Sequence, residues 1–188
     1  EVEIGFRIQQ TLLLDQPPRD LPGIRVAALT IPSQRIDGDF YDFFKHRDTC
    51  LDVIVGDVMG KGIPAALMGA ATKSHFLQAL SRLLSLSPPG SLPEPKAIVT
   101  LAHSEVARQL IELESFVTLC YARFDLEHHR LDFVDCGHPA TILFTASTGT
   151  CRMLQGENLP LGVREQEIYD QISVPVAPGD VLLFYSDG

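Results

Sequence analysis

The sequence lacks a cysteine framework, an excess of basic residues and any apolar run long enough to cross a membrane. Its four cysteines, Cys50, Cys120, Cys136 and Cys151, are scattered without a CxxC pair, which excludes the spacing of a zinc site or of a small disulfide scaffold. The formal net charge of −9 argues against broad nucleic-acid binding, which normally shows a basic patch. No stretch approaches the ~18 apolar residues of a membrane span, and no signal peptide opens the chain. We therefore expect a cytoplasmic protein that binds no nucleic acid and has no membrane span.

What remains is typical of a globular domain with a buried core. The 188 residues are 45% hydrophobic and 21% charged, and this length suits one domain or one domain plus a short appendage. Residues 1–22 are predicted as a linker or switch helix with a Pro-rich connector, and residues 23–188 as the main domain, truncated at its C-terminus. Because Ile4, Ile8 and Leu12 lie on one helical face, we expect this helix to form a homodimer or to relay a signal from an upstream domain.

Hydrophobic periodicity places strands before and after two helices. Strands are predicted at IRVAALTIP and, as a hairpin around residues 47–49, at GDFYDFFKH and CLDVIVGDV. A helix is predicted from Ile63 to Leu86, with an apolar face at Ile63, Ala66, Leu67, Ala70, Ser74, Leu77 and Leu84. A second helix buries Ile98, Leu101, Ala102, Val106, Leu110 and Leu113, and six strands follow: FVTLCYARFDL, RLDFVDCGH, TILFTAS, CRMLQ, YDQISVPV and DVLLFYS. This order predicts an α+β fold of two mainly antiparallel sheets with helices on their outer faces.

The stretch VIVGDVMGKGIPAALMGA, residues 53–70, contains a glycine-rich turn between a strand and a helix. Gly60-Lys61-Gly62-Ile63-Pro64-Ala65 fits the G-x-G-x-x-A pattern of dinucleotide-binding proteins. That pattern also needs a second parallel strand ending in an acid about 20 residues further on, whereas here the helix runs into a Pro-rich loop. Asp57 would also lie beside the pyrophosphate without compensation. The sequence therefore disfavours nucleotide binding at this turn.

A site for a divalent metal ion explains Asp57 better than a nucleotide-binding site does. Asp39, Asp57 and Asp187 each lie next to a glycine near an apolar run, in IDGDFYDFF, VIVGDVMG and LLFYSDG. Carboxylates and a backbone carbonyl, here most simply that of Val58, are the oxygen ligands that Mg²⁺ and Mn²⁺ prefer. Two such ions about 4 Å apart can bind a phosphoryl oxygen and generate a hydroxide nucleophile. Each acid taken alone is more often a residue of an ordinary Asp-Gly turn than a metal ligand.

Five segments, in this order, resemble one known family. They are IDGDFYDFF, VIVGDVMGKGIPAALMGA, FVTLCYARFDLEHHRLDFVDCGHPATILF, LPLGV and GDVLLFYSDG. The family is that of the PPM-type (type-2C-like) metal-dependent Ser/Thr protein phosphatases, in their bacterial RsbU/SpoIIE-like branch. The resemblance extends from about Ile24 to Gly188. It implies a four-layer α-β-β-α sandwich and hydrolysis of phosphoserine or phosphothreonine by metal-activated water.

The resemblance also assigns residues and partners. It implies two Mn²⁺ or Mg²⁺ ions held by Asp39, Asp57, the Val58 carbonyl and Asp187, with Asp39 and Asp57 as the catalytic acids. The other site residues are Lys61, which could pair with a substrate phosphate, and Gly162, which shapes a turn near the substrate groove. The implied substrate is a small phosphorylated protein, an anti-sigma-factor antagonist, and the implied regulator is an upstream sensor or receiver domain.

The chain departs from the family pattern in three places. Asp37 replaces the first glycine of the usual Gly-Gly-Asp, and Met59 and Lys61 occupy the turn in which eukaryotic relatives carry a histidine. The final Asp-Asp-x-Thr motif does not occur in these 188 residues. We therefore expect the parent protein to be a phosphatase and this fragment to be weak or inactive. The alternative is a catalytically incomplete signalling module of the same fold that binds a partner protein.

Three other polar residues fit either a functional or a structural role. His138, in CGHPA, is a candidate neighbour of the site, although a lone histidine is more often structural. Asp42 shares the first motif with Asp39 but falls on the opposite face of a strand. Asp135 is interpreted as a hairpin residue.

Overall fold

The computed structural model describes residues 11–31 and 37–186. Residues 11–13 are helical. The elements that follow are β1 (Phe40–Arg47), β2 (Cys50–Val58), α1 (Ile63–Leu86), α2 (Pro95–Glu112), β3 (Val117–Asp125), β4 (Arg130–Cys136), β5 (Thr141–Thr145), β6 (Thr150–Leu154), β7 (Ile172–Pro175) and β8 (Val181–Leu183). The predicted bounds of α1 are confirmed, and Pro64 occupies its first turn, where a missing N–H is tolerated.

The strands form two antiparallel sheets. The large sheet has the order β1-β2-β3-β4-β7, and the small sheet has the order β6-β5-β8. The predicted hairpin β1–β2 is confirmed, and β3–β4 and β5–β6 also pair as hairpins. The last two strands are not a hairpin, because β7 pairs with β4 while β8 pairs with β5. The turn between them, residues 176–180, therefore carries the chain from one sheet to the other.

The large sheet is covered on both faces, which explains the long apolar runs of its central strands. On β3, Val117, Leu119 and Tyr121 point to a core shared with α1 and α2. The alternate residues Cys120 and Ala122 point to a second core, which the small sheet completes with Leu143 and Leu154. Both cores thus depend on the strict alternation of side chains along one strand.

The expected fold of two antiparallel sheets with helices is confirmed. In the part of the chain that the structure describes, α1 and α2 form one helical layer on the large sheet, so the layers run α-β-β. None of the helices in these residues is long and apolar enough to cross a membrane.

The predicted face of α1 is wrong. Ile63, Leu67 and Leu77 are more than half exposed. The residues that α1 buries are Ala65, Met68, Gly69, Thr72, Phe76, Ala79 and Leu80. This face is rich in small side chains, which let the helix approach the sheet closely. On α2 the predicted face is largely confirmed, except that Leu113 follows the helix and is exposed.

Two predictions for the N-terminal third are also corrected. IRVAALTIP is not a strand: residues 24–31 have no regular structure, although Ile24 and Val26 pack against a small core on β2. Ile4 and Ile8 lie outside the described residues. Leu12 of the same predicted stripe is exposed, but its neighbour Leu13 is buried in the main core.

Candidate metal centre

The end of β2 carries the first two predicted ligands. Asp57 and Val58 are its last residues, and Asp57 lies directly opposite Thr118 of β3 in the antiparallel register. Opposed residues point to the same face of a sheet. That face is the one turned away from the helices, since Leu51 and Val53 of β2 face away from the helix-side core. Asp57 and Thr118 therefore flank one another where β2 ends and β3 begins, and we call this end of the large sheet the metal edge.

The turn before β1 lies against this edge. The Val58 N–H donates a hydrogen bond to the Gly38 carbonyl at 3.4 Å. A Cβ on Gly38 would lie 2.7 Å from the Val58 carbonyl oxygen, so the approach requires glycine at this position. Because Phe40 pairs with Gly56, the next step of the register brings Asp39 beside Asp57. The first and second acidic motifs are thus neighbours.

The end of the described chain reaches the same place. Ser186, which follows β8, donates a hydrogen bond from Oγ to Oδ2 of Asp39 at 3.1 Å. Asp187, the predicted ligand next to it, lies outside the described residues. The structure thus brings together residues from three motifs that are widely separated in sequence. They are Asp39 from the first motif, Asp57 and Val58 from the second, and Ser186, which precedes Asp187, from the last.

The chemistry of these groups fits a hard divalent cation. Asp39 and Asp57 are half-buried, and with the Val58 carbonyl they offer only oxygen donors, the type that Mg²⁺ and Mn²⁺ prefer. Within residues 11–31 and 37–186, no group of three or more His, Cys, Asp or Glu side chains is placed to hold a metal ion. Two carboxylates and a carbonyl are therefore what the described residues contribute.

A polar cluster adjoins the metal edge on the side of β3 and β4. His138 Nδ1 lies 3.1 Å from Thr118 Oγ1. Asp135, predicted to be a hairpin residue, does lie in the β3–β4 hairpin, where it is a buried residue of β4. It accepts hydrogen bonds from the backbone N–H groups of His138 at 2.9 Å and Gly156 at 2.8 Å. Burial raises the pKa of the Asp135 carboxyl above its ordinary value, and these two N–H donors offset part of that rise.

The remaining predicted residues are dispersed around the site. Lys61 is exposed in the turn between β2 and α1. Gly162 is buried with a φ of 86°, and a Cβ there would lie 2.6 Å from Cβ of Leu110. Close packing against α2 thus explains why position 162 is a glycine. Contact of Lys61 or Gly162 with a substrate stays a prediction. Asp42 faces the helices and pairs with Lys73 of α1 at 3.3 Å. This agrees with the prediction that Asp42 and Asp39 lie on opposite faces of the sheet.

The sequence analysis missed a buried charge cluster at the other end of β2. Arg123 donates to both carboxylate oxygens of Asp52, at 2.6 and 2.7 Å, and to the Pro93 carbonyl at 2.6 Å. Tyr121 also donates a hydrogen bond to Asp52, and His46 Nε2 lies 2.8 Å from Oδ2 of Asp52. Burial alone would raise the pKa of Asp52, but Arg123 and His46 lower it below the ordinary value. Five residues of strand, about 16 Å, separate Asp52 from Asp57, so this cluster is structural.

Known proteins are similar to this chain in sequence and in fold. RsbU of Bacillus subtilis (strain 168), named a phosphoserine phosphatase, is 28% identical over 192 residues that include 100% of this chain and 52% of RsbU. The SiaA-PP2C domain of Pseudomonas aeruginosa superposes with a TM-score of 0.71 at 19% identity, covering 96% of this chain and 68% of that one. RsbX in complex with magnesium superposes with a TM-score of 0.61 at 18% identity, covering 85% and 70%.

These similarities define the family and its extent. The chain spans about half the length of RsbU, and the two structural likenesses concern the fold. The family described as Stage II sporulation protein E (SpoIIE) matches residues 47–188, which include β2 with Asp57 and the strands that follow it. The chain belongs to the SpoIIE family.

Proposed function

We propose that this chain is the phosphatase domain of a bacterial signalling protein and hydrolyses phosphoserine or phosphothreonine on a protein substrate. One observation carries the proposal: the Asp39 turn lies against Val58 and also accepts a hydrogen bond from Ser186. Three separate acidic motifs therefore meet at one edge. The name of RsbU, a phosphoserine phosphatase, supports the same activity.

Each residue of the edge has a distinct part in this proposal. Asp57, Asp39, the Val58 carbonyl and Asp187 would hold two Mn²⁺ or Mg²⁺ ions, and RsbX, which shares the fold, binds magnesium. When bound, the ions would activate a water for in-line attack and offset charge on the phosphoryl oxygens. Lys61, exposed in the turn beside Asp57, would pair with the substrate phosphate.

The substrate and partners are inferred from the family resemblance of the sequence motifs. We infer a small phosphorylated anti-sigma-factor antagonist as the substrate and a sensor or receiver domain as the regulator. The predicted N-terminal helix would transmit the signal or form a homodimer, and a cytoplasmic location suits these partners. The half-exposed Leu12, beside the buried Leu13, leaves apolar surface on that helix for such a contact.

Hydrolysis with Mn²⁺ tests the activity. p-Nitrophenyl phosphate and a phosphoserine peptide would be assayed with the wild type, Asp57→Asn and Asp125→Asn. Asp125 is a matched control, because it carries the same substitution in the β3–β4 hairpin, where it pairs with His128 at 2.7 Å. We expect Asp57→Asn to reduce hydrolysis by more than about 100-fold, since loss of an outer partner alone typically costs 10–100-fold.

The same experiment distinguishes the phosphatase from the alternative, a signalling module without catalytic activity. A signalling module that binds its partner without turnover would hydrolyse substrate equally slowly as wild type and as Asp57→Asn. Mn²⁺-dependent turnover that Asp57→Asn abolishes and Asp125→Asn preserves would exclude it.

A further inference from the structure

Thr118 lies at the metal edge, and neither the sequence analysis nor the proposed mechanism gives it a role. It is paired with Asp57 across β2 and β3. Directly opposed side chains in antiparallel strands have Cβ atoms about 4.5–5.5 Å apart. The Thr118 hydroxyl is therefore within the range at which a threonine can contact a neighbouring aspartate.

The hydroxyl of Thr118 is held from its other side by a buried histidine. His138 is 3% exposed, and its Nδ1 lies 3.1 Å from Thr118 Oγ1. A threonine hydroxyl has one proton to donate and can accept from a second group. When Nδ1–H of His138 donates to Oγ1, the hydroxyl proton of Thr118 is directed away from the histidine.

The histidine itself is fixed by the turn that ends β4. Asp135 accepts a hydrogen bond from the His138 N–H at 2.9 Å and one from Gly156 at 2.8 Å. Gly137 has a φ of 66°, and a Cβ there would lie 2.8 Å from Cγ of Pro160. The turn therefore has little freedom, and the imidazole can hold the Thr118 hydroxyl in one orientation.

We propose that Thr118 and His138 are positioning residues for Asp57. His138 orients the Thr118 hydroxyl, which donates its proton to the Asp57 carboxylate and fixes the direction of the oxygens offered to the metal. This inference rests on the proposed function of Asp57 as a metal ligand. Outer hydrogen-bond partners of this kind typically change metal affinity 10–100-fold when removed.

Mn²⁺ affinity, measured by titration calorimetry with the metal alone, tests the proposal without requiring turnover. Thr118→Val keeps the shape of the side chain and removes the hydroxyl, and we expect it to weaken Mn²⁺ binding at least about 10-fold. Thr118→Ser should restore binding to near the wild-type value. His138→Leu should weaken binding similarly, whereas His138→Asn, which keeps a polar group close to the Nδ1 position, should retain most of it.

Two further measurements distinguish positioning from simple destabilisation. The double variant Thr118→Val/His138→Leu should bind Mn²⁺ no more weakly than the worse single variant, because both changes break one chain of contacts. Thr72→Val is the control: Thr72 is a fully buried threonine of α1 that donates to the Met68 carbonyl. It should lower the unfolding free energy without changing Mn²⁺ affinity.

The outcomes separate this inference from the proposed function. If wild type binds Mn²⁺ and Thr118→Val binds it equally well, or if Thr72→Val weakens it as much, the positioning role is wrong and the phosphatase proposal stands. If wild type itself binds no Mn²⁺, the metal-dependent function fails and this inference fails with it.

Discussion

Ser186 Oγ donates a hydrogen bond to Oδ2 of Asp39 at 3.1 Å, although 147 residues separate the two in sequence. Asp39 immediately precedes the edge strand of the large sheet, whereas Ser186 follows β8 of the small sheet. The contact therefore joins the two sheets at the candidate metal centre. It also orients one of the two described carboxylates.

Removing this hydroxyl should affect metal binding more than stability. We expect Ser186→Ala to lower Mn²⁺-dependent hydrolysis and Mn²⁺ affinity about 10-fold, because an outer partner of a ligand is lost. Ser104→Ala is the control, since the exposed Ser104 donates to the Leu101 carbonyl of its own helix. Equal Mn²⁺ affinity in the wild type and Ser186→Ala would contradict this role.

Gly38 should not tolerate even a methyl group. Its Cβ would lie 2.7 Å from the Val58 carbonyl oxygen, so Gly38→Ala must push the Asp39 turn away from β2. We expect a loss of about 1–3 kcal/mol in the free energy of unfolding, with weakened Mn²⁺ binding. Urea unfolding and calorimetry measure the two effects.

Gly149→Ala provides the matched comparison for Gly38. Gly149 has a φ of 66° but open space around its Cβ position, so alanine there strains only the local backbone. The expected cost is about 1–2 kcal/mol, with Mn²⁺ affinity unchanged. If Gly38→Ala behaves in the same way, the close approach to Val58 does not matter for the site.

The buried ion pair should be far more sensitive to loss of one partner than of both. Arg123→Met leaves the fully buried Asp52 without its bidentate donor, and we expect a loss of about 3–5 kcal/mol in unfolding free energy. Arg123→Met/Asp52→Asn should recover part of that loss, because the uncompensated charge is gone. Urea unfolding of the wild type and these variants tests this order, and a double variant less stable than Arg123→Met would refute it.

Because of His103, we expect the free energy of unfolding to fall below neutral pH. Burial lowers the pKa of His103 below its ordinary value, partly offset by the negative charge of Glu167 and by backbone contacts at Arg164 and Glu165. The unfolded chain therefore takes up a proton at a higher pH than the folded one, so stability falls as pH drops below about 6.5. Urea unfolding between pH 8 and pH 5 should show this fall, reduced in His103→Gln and unchanged in His129→Asn, which alters an exposed turn residue.

Local sequence patterns predicted every helix and strand from β1 to β8 but wrongly made a strand of IRVAALTIP, and they did not predict how all the elements pack. The β1–β2 hairpin and the bounds Ile63–Leu86 follow from alternation and from helical periodicity interrupted by proline. The buried face of α1 does not, because large apolar side chains such as Leu67 and Leu77 occupy the exposed side, while small ones such as Gly69 meet the sheet. Because apolar side chains occur on both the buried and the exposed side of α1, periodicity alone does not identify the buried face.

The acids of the site could be recognised in the sequence, but their polar neighbours could not. Asp39 and Asp57 stand out because a glycine adjoins each of them and because their motifs resemble a known family. Thr118 and Asp135 lie in the third resembling segment, but neither adjoins a glycine and the resemblance gives neither a role. Their positions depend on the register of β3 with β2 and β4, and a shift of one residue would reverse which face each side chain occupies.

The crossing of the chain between β7 and β8 has a consequence for folding. Because β8 belongs to the small sheet, Ser186 can reach Asp39 only after the two sheets have docked through the core that contains Leu143 and Leu154. A metal ion bound at this edge would therefore act as a ligand of the docked state and favour it by mass action. Manganese concentration would then set how firmly the two sheets are held together, and substitutions in the distant inter-sheet core would appear as changes in metal affinity.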